Sequence, residues 1–131
     1  MRERLRDLAA ASHAVAVGQV ERAAEGVTAE RERLEAQVTS AGGVLAQARS
    51  IAELEGVTVE IAASRGDVDA AVARHGEAIG ASAATEKALK EKARQLRTAE
   101  RILELVQEQR ASKAMRGEQR AADDLAAGRR R

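Results

Sequence analysis

The chain has two histidines, His13 and His75, in 131 residues, and no cysteine. Thiol chemistry, a disulfide scaffold and a Cys-ligated zinc site are therefore excluded. His75 falls on an apolar helical row and reads as a polar residue tolerated there; His13 stands far from it in sequence. Glu100, Glu104 and Glu108 recur every fourth residue, which puts three carboxylates on one helix face. Such a row suits a hard cation, but no His or Asp joins it, and a solvated charged face explains the same spacing. Asp123-Asp124 reads the same way. Gly42-Gly43 is not followed by the Gly-Lys-Ser/Thr element of a phosphate-cradling loop. Serines and threonines are scattered without a base beside them. The residues point to no catalytic, cofactor or metal site, and the expectation is a protein that is not an enzyme.

Charged rows point instead to binding. Lys87, Lys90, Arg94, Arg97 and Arg101 step by three and four residues into one basic stripe, which a neighbouring helix bearing Glu21, Glu25 and Glu30 would answer. Arg110, Lys113, Arg116 and Arg120 make a second basic series, accompanied by Ala111, Ala114, Met115 and Leu125. A helix of this kind, laid into a partner's groove, would use Arg110, Lys113, Arg116, Arg120 and Leu125. Arg129-Arg130-Arg131 forms a basic tail that favours a helix C-terminus. The formal net charge of +1 hides an asymmetry: residues 1–84 carry 9 basic and 13 acidic groups, residues 85–131 carry 13 and 8. Aromatic residues are 0% of the chain, which removes the stacking platforms that hold single-stranded nucleic acid. Nucleic acid is not an expected partner.

The elements that must carry these rows are helices. Alanine supplies 31 residues, whereas Leu, Val, Ile and Met together supply 27. Ala, Leu, Glu, Arg, Lys and Gln are strong helix formers, and this composition suits long helices or a coiled coil more than a compact globule. Uncharged stretches reach only 13 residues, at 8–20 and 36–48, short of the ~18 that a spanning helix needs. Glu3 and Asp7 in the basic N-terminus, with His13 in the run that follows, set it apart from a signal peptide, which leaves the cytoplasm as the expected location.

Apolar spacing places a short first register on Leu5, Leu8, Ser12 and Val15, a slip near Gly18, and a heptad row through Val20, Ala24, Val27, Leu34, Val38, Ala41 and Leu45. Further on, Ile61, Val68, His75, Ser82, Leu89, Leu96 and Leu103 recur every seventh residue, with Val72, Ile79, Glu86 and Ala93 as companions that pass over to Ala99 and Val106. The strongest expected seam residues are Leu34, Val38, Leu45, Leu89, Leu96, Leu103 and Val106. Gly56, with Thr58 as a cap, predicts a turn at about 56–58; Ser64-Arg65-Gly66-Asp67 and Gly42-Gly43 are competing positions. The expected fold is a single all-α unit over 1–131: a long antiparallel two-helix coiled-coil hairpin, with helix one over about 3–55 and helix two over about 59–127. That turn sets residue i near 114 − i and leaves a C-terminal helical overhang beyond about residue 110.

The run Ala99-Glu100-Arg101-Ile102-Leu103-Glu104-Leu105-Val106-Gln107-Glu108-Gln109-Arg110, followed by Glu118-Gln119-Arg120 and Asp123-Asp124-Leu125-Ala126, resembles the C-terminal end of the flagellar FliJ family and its YscO-like injectisome relatives. Leu5, Arg6 and Leu8 give a fainter N-terminal likeness. The resemblance implies a non-enzymatic component of a bacterial type III export apparatus. Such a component is a stalk-like coiled coil in the cytoplasm, peripheral at the inner membrane. It binds the hexameric export ATPase and promotes its assembly, and it contacts the export gate and substrate chaperones. Without that resemblance, the residues describe a cytoplasmic coiled-coil scaffold or adaptor.

Overall fold

A computed structural model describes residues 1–130; of the basic tail, Arg131 lies outside them. The chain forms two helices, α1 (Arg2–Gln47, 46 residues) and α2 (Ile51–Arg129, 79 residues), packed side by side as an antiparallel hairpin. At 1.5 Å per residue they are about 69 and 119 Å long. The all-α expectation of two long helices stands, and every glycine is helical, none with a positive φ.

The reversal is at Ala48–Ser50, upstream of the expected 56–58, and α1 ends at Gln47 rather than near residue 55. Its signal is local hydrogen bonding. Ser50 is the N-cap of α2: its Oγ accepts from the Glu53 backbone N–H at 3.3 Å, while Glu53 Oε2 accepts from the Arg49 N–H at 2.9 Å. Ser50-Ile51-Ala52-Glu53 is thus a variant of the capping box, which satisfies donors that a helix start leaves bare. Ala48 and Ser50 are both extended, and that pair of residues turns the chain. Thr58 does not cap; its hydroxyl donates back to the Leu54 carbonyl at 2.9 Å inside the helix. Gly56 and the 64–67 segment also continue α2.

Moving the turn moves the register. His13 Nδ1 lies 3.0 Å from Thr85 Oγ1, and Ser64 donates to Gln37 Oε1 across the hairpin. With Arg49 at the bend, residue i faces about 98 − i. Most of the buried and half-buried positions then fall on one heptad, with Gly18, Ala24, Gly26 and Ala93 half-buried beside it. On α1 they run Ala9, His13, Ala16, Val20, Ala23, Val27, Glu30, Leu34, Ala41 and Ala48; on α2 they run Val57, Ile61, Ser64, Val68, Ala71, His75, Ala78, Ser82, Thr85, Leu89, Lys92, Leu96 and Ala99. No slip occurs at Gly18.

The seven-residue row from Ile61 to Leu96 stands as expected, and so do Leu34, Leu89 and Leu96 within the seam. The companion rows differ in part: Ala93 and Ala99 are half-buried as expected, but the positions nearer the turn are not. Ala71 and Ala78 are inside, whereas Val72 and Ile79 are 43% and 49% exposed. Val38 and Leu45, at 48% and 49%, also lie on the flank. A row of sevens accepts a companion three or four residues on. Bulk favours four, but packing takes three, because Ala lets the two backbones approach closely. The four buried residues, Ala16, Val27, Ala41 and Ala71, show the result: a thin seam of small side chains.

Candidate partner-binding face of the α2 overhang

The start of α1 lies against the segment of α2 around Ala99. Met1 and Glu3 share a shallow groove with Leu96, Ala99, Glu100 and Leu103, and Leu5 shares another with Lys92, Gln95 and Leu96. From Glu100 to Arg130 every residue is exposed. The overhang therefore begins about ten residues earlier than a turn at 56–58 would give. Arg101–Arg129 extends about 43 Å beyond the pair as a single helix.

This changes two seam assignments. Leu103 and Val106 keep the heptad phase of Leu96 and Ala99, yet they stand 57% and 38% exposed, because the start of α1 only borders Leu103 in a shallow groove and covers neither. They belong to the overhang. Continuing their phase by sevens gives Arg110 and Gly117 on one row, and Lys113 and Arg120 on the other. The face that α1 covers lower down is thus apolar at Leu103 and Val106 and then basic at Arg110, Lys113 and Arg120. Arg116 flanks it from the side of Ile102 and Gln109. Leu125 follows Asp124 of the seam row and is turned about 100° from it, so the structure does not bring Leu125 onto the basic face. Its 69% exposure, like that of Met115, belongs to another side of the helix.

Among the described residues, Arg110, Lys113, Arg116 and Arg120 form no ion pair. The pairs that do form are local: Lys90 with Glu86 at 2.8 Å, Arg101 with Glu104 at 3.0 Å, Arg33 with Glu30 at 2.9 Å, and Arg6 with Asp7 at 3.5 Å. The Lys90 ammonium, by its hydrogen bond and then its charge, holds the Glu86 carboxyl below its ordinary 4.5, and His13 adds a smaller pull in the same direction. The expected ion pairs between the 87–101 stripe and Glu21, Glu25 and Glu30 do not occur among the described residues. In the observed register that stripe faces the first residues of α1, and the three glutamates lie further along the rod.

Near the base, one polar contact fixes the two helices. Thr85 Oγ1 donates to the Ser82 carbonyl at 2.9 Å. Its single proton being used there, it accepts from His13, which assigns the imidazole hydrogen to Nδ1. His13 is thereby a cross-helix pin, a role its isolated position in the sequence did not reveal. The His-to-Thr pairing becomes readable only once the turn is set at Arg49.

The arrangement can bind a helix that would take the place of α1, apolar where it meets Leu103 and Val106 and acidic where it meets Arg110, Lys113 and Arg120. No described helix is long and apolar enough to cross a membrane. No protein family, curated protein or solved structure matches the chain.

Proposed function

We propose that this chain is a stalk-like, non-enzymatic component of a bacterial type III export apparatus, flagellar or injectisome. In this reading the overhang docks on the hexameric export ATPase and promotes its assembly, and the rod contacts the export gate and substrate chaperones at the cytoplasmic face of the inner membrane. Two things support it. One is the likeness of residues 99–126 to the FliJ and YscO-like proteins. The other, which carries the reading physically, is the uncovered seam of the overhang, where Leu103 and Val106 lead into Arg110, Lys113 and Arg120. A lone helix is marginal in water, since its stability comes mostly from packing an amphipathic face. A partner surface supplies that packing, and a slender rod fits the axis of a ring.

The test is reconstitution with the export ATPase of the same organism. The full chain raises the hexamer fraction in sedimentation and the rate of ATP hydrolysis. A variant carrying R110E, K113E and R120E loses both effects while keeping its helical signal. Unchanged assembly and hydrolysis with the wild-type chain overturn the proposal and leave a coiled-coil scaffold.

A further inference from the structure

We infer that the seam face of the overhang is a docking strip for one amphipathic, acidic helix of a partner protein, laid antiparallel to α2 and end-on to α1. This rests on the reading above, that the overhang is the part that binds, and adds what it binds, on which face and in which direction.

Continuity with the α1–α2 interface decides the shape of the occupant. Two seven-residue rows make the seam that α1 covers, one through Leu89 and Leu96, the other through Thr85, Lys92 and Ala99. Neither row stops where α1 stops. The first goes on through Leu103, Arg110 and Gly117, the second through Val106, Lys113 and Arg120. From Leu103 to Arg120 the strip is about 26 Å long. Paired rows spaced by seven are the surface on which a second helix packs. Leu103 and Val106, at the head of the strip, lack cover, so the occupant is apolar there.

Charge is sorted around the overhang by helical phase. Arg110, Lys113 and Arg120 are on the strip, and Arg116 is on its flank. Glu104 and Glu118 lie about 130° round the helix from the centre of the strip, and Glu108 about 180°. Glu104 pairs with Arg101 at 3.0 Å on that far side. Only Asp123 and Asp124, past Arg120, share the side of the strip. The four bases form no ion pair among the described residues. Carboxylates on an approaching helix answer them, whereas a nucleic acid has no use for Leu103 and Val106.

Direction follows from the end of α1. Met1 and Glu3 border Leu103 in their shallow groove, so a helix on the strip has one of its ends against them. The N-terminus of α1 is the positive end of its dipole, and the C-terminus of any helix is the negative end. The occupant therefore meets α1 with its C-terminus and runs, like α1, antiparallel to α2. Its carboxylates come first in its sequence, facing Arg120, Lys113 and Arg110, and its apolar residues follow, facing Val106 and Leu103.

The probe is a labelled synthetic helix of three heptads, about 21 residues, with Glu facing Arg110, Lys113 and Arg120 and Leu facing Leu103 and Val106. Its binding to the full chain is read by fluorescence anisotropy, and circular dichroism checks that each variant keeps its helical signal. R110E with K113E and R120E weakens binding at least about thirtyfold, and a peptide with Lys in place of Glu recovers it on that variant. L103A with V106A weakens it at least about tenfold; M115A with L125A, on the far side of the helix, changes it little. Because the chain has no cysteine, direction is read directly from Q107C and A121C, which flank the two ends of the strip. A peptide with Cys in its last turn forms a disulfide with Q107C and not with A121C. No binding at about 100 μM, binding that survives either the charge reversal or the Leu103 and Val106 truncations, or a bond to A121C instead, each overturns the inference. The export reading is judged apart from it: stimulation of the export ATPase without peptide binding sinks the acidic helix alone, and peptide binding without stimulation sinks the export role alone.

Discussion

Replacing Ala71 by leucine, beside a Val72→Ala control, decides which row holds the helices together. Ala71 is 2% exposed and the register sets it opposite Val27, itself 8% exposed. Leucine adds three carbons where the two backbones are close, and overpacking of this kind destabilises by about 1–3 kcal/mol. Val72 is 43% exposed. Trimming it forfeits only part of a valine's burial, less than about 1 kcal/mol. In a chain of this size each kcal/mol moves the thermal midpoint by about 3–6 °C. Circular dichroism during heating, and separately in urea, therefore gives A71L the lower midpoint by several degrees. Should V72A lose more than A71L, the seam runs through Val72 and Ile79, and the argument that small residues set the helix spacing fails.

Other outcomes follow from the same geometry. Truncating the cap, S50A, lowers stability by about 1 kcal/mol in urea, whereas T58A, which removes no cap, changes it little. Every glycine of the turn half is helical with open space around a built Cβ, so G42A, G66A, G76A and G80A each stabilise by about 0.8–1 kcal/mol and raise the thermal midpoint together. Glu86 titrates below 4.5 in the folded chain because of Lys90. Its contribution is complete above the unfolded carboxyl value and lost as pH falls through the lowered one. E86Q removes that part of the acid sensitivity, read as a smaller gap between urea midpoints at about pH 7 and pH 3 than the wild-type chain shows. The effect is small, since Glu86 is solvent-exposed.

The helical hairpin was legible because composition and seven-residue spacing both speak for it, and Leu34, Leu89 and Leu96 sit where that spacing places them. The turn was not, because Gly56 is the more conspicuous helix-ending signal, whereas the bend is set by side-chain hydrogen bonds at Ser50 and Glu53. Gly56 has no strain to relieve inside a helix, whereas Ser50 and Glu53 together satisfy two backbone donors at a helix start. The overhang and its basic series were legible as a partnerless segment, but its start depended on the turn and moved with it, carrying Leu103 and Val106 out of the seam. Ala71 and Ala78 are hidden in the sequence because alanine is everywhere in it and bulk marks Val72 and Ile79 instead. Leu125 lies near the arginines in sequence, and helical phase separates it from them.

The step from two helices to one near Ala99 also has a mechanical meaning. Two coupled helices resist bending as a double beam, far more than twice as stiffly as either alone. Long single helices curve readily. A sideways load on the last turns of α2 is therefore taken up just past Ala99, where the beam halves, and scarcely reaches the far end at Ser50. The rod is a stiff handle with a compliant shaft, and its flexing point is set by where α1 stops.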